Sequence, residues 1–142
     1  ASGDAIYSET TVGDDNTVSA TQSSTWTRVT LGIEGDANAF TAVQDRTGKA
    51  VVDINGDSNH MSILQGFDRN TVGASITGSS NIIMVDQSGM DNDIMLPGSG
   101  HWNKDGIVVS GDGNMIDITQ ASDMNRASVS VAGNGNSATI SQ

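Results

Sequence analysis

Six times in this chain a glycine is followed three positions later by asparagine and six positions after that by glutamine. The copies are Gly13/Asn16/Gln22, Gly35/Asn38/Gln44, Gly56/Asn59/Gln65, Gly78/Asn81/Gln87, Gly111/Asn114/Gln120 and Gly133/Asn136/Gln142. A frame that recurs with this regularity defines a repeating unit. A unit of this length cannot bury its own apolar face, so its copies must stack on one another.

Inside each frame, apolar residues fall at alternate positions: Val18 and Ala20, Phe40 and Ala42, Met61 and Ile63, Ile83 and Val85, Ile116 and Ile118, Ala138 and Ile140. Period-two alternation predicts a strand and places Asn, two apolar side chains and Gln on one face. A second kind of segment leads into each later frame glycine: Val29, Leu31, Ile33; Ala50, Val52, Ile54; Val72, Ala74, Ile76; Ile107, Val109; and Ala127, Val129, Val131. Thr27, Asn70, Asn103 and Asn125 open four of these segments, and Asp105 falls in the first apolar slot of the fourth. The turns are rich in Gly, Asp, Asn and Ser, which accept positive φ and local side-chain bonds. The expected fold is all-β: a two-sided β-solenoid of about six 22-residue strand–turn–strand coils over residues 13–142, stacked about 4.8 Å apart in amyloid-like cross-β fashion.

Two spacings depart from 22. Asn38 to Asn59 is 21, which places one missing residue in the turn Asp45-Arg46-Thr47. Asn81 to Asn114 is 33. Residues 103–113 fit the second strand type, so the surplus is expected as an insertion at 88–102. There Pro97, unable to donate to a central ladder, marks a loop. A rival reading makes Ile94 and Leu96 a strand. Residues 1–12 have a weak apolar pattern (Ile6, Tyr7, Val12) and leave two readings open: a flexible tail, or a segment that docks on the open C-terminal coil of another subunit.

An amide side chain buried alone loses its water at a cost. Stacked in register, the Asn column and the Gln column form ladders, each interior rung contributing about 1 kcal/mol net. The six turn glycines and twelve ladder amides are therefore the candidate functional residues, for self-assembly and not for catalysis. Composition supports a thin core: apolar residues are 35% and aromatics 4%. A net charge of -11 with six basic residues excludes nucleic-acid binding. No apolar run approaches membrane-spanning length. No Cys is present, and His60 and His101 lie far apart, so neither a metal site nor a cofactor is expected. There is no G-x-S-x-G elbow, and no enzyme is expected.

Asp14, Asp36, Asp57 and Asp112 should line up as an acidic row whose repulsion slows association until pH falls or divalent cations bind. Arg28, Lys49, Lys104 and Arg126 should form an outward basic row. Its plainest reading is a solvated face; an anionic polysaccharide or a neighbour's acidic turns are the alternatives.

The frame G-x-x-N-x-φ-x-x-x-Q, alternating with a second strand that runs into its glycine, resembles the curlin repeat over residues 13–142. That resemblance implies a subunit exported across the bacterial outer membrane. It also implies end-to-end polymerisation into extracellular fibres of the curli type. Its implied partners are copies of itself, export machinery, other surface adhesion proteins and polysaccharide. The start at Ala1 without Met fits a processed, secreted chain, and the stop at Gln142 leaves the last coil without a cap. Curlin strands of the second type usually carry an inward Gln where this chain has Ile33, Ile54, Ile76, Val109 and Val131. A curlin-like anchor in a holdfast-type adhesion complex, forming short multimers, is the alternative within the family.

Overall fold

The structure, a computed structural model, describes residues 6–24, 26–94 and 106–142. Their strands form two parallel sheets. One sheet takes the strands inside the frames: β2 (Thr17–Gln22), β4 (Ala39–Gln44), β6 (His60–Gln65), β8 (Ile82–Gln87), β11 (Met115–Gln120) and β14 (Ser137–Ser141). The other takes the connecting strands: β1 (Ile6–Val12), β3 (Arg28–Glu34), β5 (Gly48–Asn55), β7 (Asn70–Thr77), β9 (Asp93–Ile94), β10 (Ile107–Ser110), β12 (Arg126–Ala127) and β13 (Val129–Ala132). Each chain turn crosses from one sheet to the other, and each strand pairs with its counterpart one coil away. The fold is a β-solenoid of about six coils at a spacing of about 22 residues.

Register is strict. Phe40 pairs with Val18 and Met61; Gln44 with Gln22 and Gln65; Leu31 with Val52. Because successive side chains alternate faces, one row of each sheet points inward. The core is the set of slots the alternation marks, with Val29, Ile33, Phe40, Ile54, Met61, Ile76, Ile83, Ile107 and Ile116 all fully buried. His60 lies on the outer face and is exposed. The missing residue of the second coil falls in the turn ahead of β5, as the 21-residue spacing implies. Trp26, Arg69, Asp91 and Met124 take positive φ in the equivalent turns, and no residue of that shortened turn does.

Two boundaries move. Residues 6–12 form a strand of the stack: β1 pairs along its whole length with β3, Tyr7 with Val29, Glu9 with Leu31, Thr11 with Ile33. The expected insertion also shifts. Asn92 and Ile94 occupy the slots assigned to Asn103 and Asp105, since Asp93 and Ile94 pair with Thr71 and Val72 on one side and Arg126 and Ala127 on the other. Ile107 then pairs with Ala74. Ile94 and Ile107 are thirteen positions apart but face residues two apart, so eleven residues are surplus between them, not across 88–102. Leu96, Pro97, His101, Asn103, Lys104 and Asp105 lie outside the described residues.

Candidate functional site

The frame asparagines stand at the corner where each turn enters its strand. Asn81, fully buried, donates from its backbone N and from Nδ2 to Oδ1 of Asn59, 3.0 Å each. Its Nδ2 also donates to the carbonyl of Gly111 one coil ahead, at 2.9 Å. Its own Oδ1 accepts from the backbone N and Nδ2 of Asn114, at 2.9 and 3.0 Å. The same set recurs at Asn38 and Asn59. At the first coil Asn16 donates to Gly35 O, and at the last Asn136 donates to Asn114. Asn38, Asn59 and Asn81 thus each tie three successive coils, including the carbonyl of the next frame glycine.

The glutamines run the other way along the axis. Nε2 of Gln22, Gln44, Gln65, Gln87 and Gln120 donates to Oε1 of the next rung, at 2.7–3.0 Å. The remaining Nε2 proton crosses to the opposite sheet, from Gln44 to Arg28 O, Gln65 to Lys49 O and Gln87 to Thr71 O. The glutamine ladder therefore joins coil to coil and sheet to sheet at once. Interior rungs Gln44, Gln65, Gln87 and Gln120 are all fully buried, so each amide proton must be matched inside the protein.

A third, shorter amide ladder escaped the sequence reading. Asn92 N donates to Asn70 Oδ1 at 3.0 Å, and Asn125 N donates to Asn92 Oδ1 at 2.9 Å. The signal was present: Asn70, Asn92 and Asn125 each follow a frame glutamine by five positions.

The acidic row exists, but its carboxylates have a bonding role. Oδ1 of Asp36, Asp57 and Asp112 accepts a backbone N–H from the coil before, that of Asp14, Asp36 and Ser79, at 2.7–2.8 Å. Ser79 and Asn134 fill the same position in their coils and accept from Asp57 and Asp112. The carboxylate is therefore one of several acceptors that fit. Asp112→Ala is expected to cost about 1 kcal/mol, and Asp112→Asn far less, as read from urea unfolding midpoints.

The basic row is interrupted. Arg28 pairs with Lys49, but the column continues through Thr71 and Asp93 before reaching Arg126. These residues, with Trp26 and Met124, line a groove of about 810 Å³ on the outer face. Burial lowers the Lys49 pKa, with Arg28 adding to the effect and Asp93 opposing it.

Residues 111–142 match the family model of the Curlin associated repeat. Those residues carry a curlin-like repeat. Those residues hold the last two frames, and the four frames before them build the same coil with the same ladder bonds. No curated protein and no solved structure matches the chain. The curlin repeat and the solenoid together fit a curlin-like structural subunit. Ile33, Ile54 and Ile76 form a buried aliphatic column in the second sheet.

Proposed function

We propose that this curlin-like chain is a secreted structural and adhesive subunit, without enzymatic activity, that assembles end to end into extracellular amyloid-like fibres at the bacterial surface. The supporting observation is the opposed polarity of the two amide ladders. Along the axis the Asn Nδ2 groups donate backward and the Gln Nε2 groups forward, so the described ladders run from Asn16 and Gln22 in the first coil to Asn136 and Gln142 in the last with opposite polarity. A second copy set one coil further continues both ladders without a break, so one rule serves inside the subunit and between subunits. Both edge rows of backbone groups invite the same continuation. Partners beyond the chain itself are expected to be export machinery, surface adhesion proteins and an anionic polysaccharide, the last suited to the Arg28–Lys49 end of the outer groove.

The purified chain followed by negative-stain microscopy tests this. Long unbranched fibres growing with time support it, and persistent monomer at every concentration overturns it. The eleven surplus residues between Ile94 and Ile107 favour a second reading, an anchor of a surface adhesion complex, for which rods that stop at a few subunits are the expected image.

A further inference from the structure

β1 differs from every other strand of its sheet at the inward slots. Where β3 places Val29, Leu31 and Ile33, β1 places Tyr7, Glu9 and Thr11. The Tyr7 hydroxyl donates to one carboxylate oxygen of Glu9, and Thr11 Oγ1 donates to the other at 2.5 Å. All three side chains are exposed, because this coil is the edge of the described stack. The apolar column thus ends in a carboxylate lying over Leu31.

Continuing the register by one coil brings the C-terminal edge of a second copy onto this face. Ala127 then meets Tyr7, Val129 meets Glu9, and Val131 meets Thr11. The groups facing Glu9 are Val29, Leu31 and Ile33 from β3, and Val18 and Ala20 across the interior from β2. The arriving coil adds Ala127, Val129, Val131, Ala138 and Ile140. Among the described residues Tyr7 is the one titratable neighbour, and no cation faces the site. An ionised carboxylate shut into such surroundings keeps two hydrogen bonds but loses its water, at a cost its neighbours do not repay. An inward-pointing charge on an edge strand is a known means of blocking edge-to-edge addition.

We propose that Glu9 is a charge gate on the docking of a second copy, holding the end-to-end joint open while ionised and letting it close when protonated. The gate rests on the assembly reading above and adds a control point to it. In the separate subunit, hydrogen bonds from Thr11 and then Tyr7 hold the Glu9 carboxyl below its ordinary range. Tyr7, pushed up to about 12 mainly by burial, stays protonated as a donor. Closing the joint removes water and raises the Glu9 pKa, so docking takes up a proton. Docking therefore strengthens as pH falls from above the joint's pKa through the carboxylate range, and the gain is complete below the free subunit's lowered pKa.

The test is the elongation rate of the full chain from its own sheared seeds, near pH 7 and about pH 4. Glu9→Gln keeps the shape without the charge, and Glu9→Leu restores the residue type of β3. Asp15→Asn changes net charge equally on an exposed turn. Both Glu9 variants are expected to elongate about tenfold faster than wild type near pH 7, with a flattened pH response. Wild type is expected to approach them on acidification, and Asp15→Asn to follow wild type. Glu9 variants that keep the wild-type rate and pH profile overturn the gate while leaving assembly intact. An equal acceleration by Asp15→Asn overturns it as well, by assigning the effect to net charge. If wild type and all variants stay monomeric at both pH values, the assembly reading falls and the gate with it.

Discussion

Asn81→Ala is expected to lower the stability of the solenoid by about 3–5 kcal/mol, because it strands several buried polar groups at once. The side chain makes four hydrogen bonds: Nδ2 to Asn59 Oδ1 and Gly111 O, and Oδ1 from Asn114 N and Nδ2. Alanine leaves the Gly111 carbonyl and the Asn114 backbone N–H short of a partner beside two buried asparagine positions, 81 and 114. Asn136→Ala, at an exposed end rung that bonds only backward, should cost about 1 kcal/mol. Urea unfolding compares the two, and hydrogen exchange at the Asn114 amide reports the local opening. Equal losses at both positions would show that burial of the ladder does not set its worth.

The second large effect is expected at a turn. Gly56 has φ +130, and a Cβ added there would lie 2.1, 2.7 and 3.2 Å from the O, C and N of Gly78. Those neighbours are main-chain atoms of the next coil, so relief requires the coils to part. Parting them also pulls Asn59 Nδ2 from the Gly78 carbonyl, a 2.7 Å bond. Gly56→Ala should therefore cost about 3 kcal/mol or more. Gly113 is the contrast: φ is +64 and nothing lies within 4 Å of its added Cβ. Gly113→Ala should cost about 1 kcal/mol, the price of the left-handed backbone alone. The pair of urea midpoints separates close approach from conformation, and equal shifts would refute the steric account of the frame glycine.

The sequence carried most of this architecture because a repeat multiplies a weak local signal. One Asn or Gln between apolar residues says little, whereas six in register name a column. What the repeat concealed lies where the stack stops being periodic. Tyr7, Glu9 and Thr11 hide β1, since an edge strand has a coil on one side only and tolerates polar inward side chains that the interior does not. The fourth coil was misplaced because Asn103 and Asp105 imitate the opening of a strand. Asn92 and Ile94, five and seven positions past Gln87, were the true continuation. The cross-sheet bonds of the glutamines were invisible for a different reason: alternation fixes which face a side chain takes, not which carbonyl across the interior it reaches.

Ile94 and Ile107 sit in adjoining inward slots of one rung, and the opposite sheet passes from β8 to β11 with its ladder uninterrupted. Eleven residues have thus been added to the covalent chain without adding to the height of the stack. Contour length and axial rise are uncoupled at this rung, so a sequence spliced between Ile94 and Ile107 should be carried at one fixed level of every subunit. In a polymer of such subunits, that level would recur once per molecule, as a mark on a ruler.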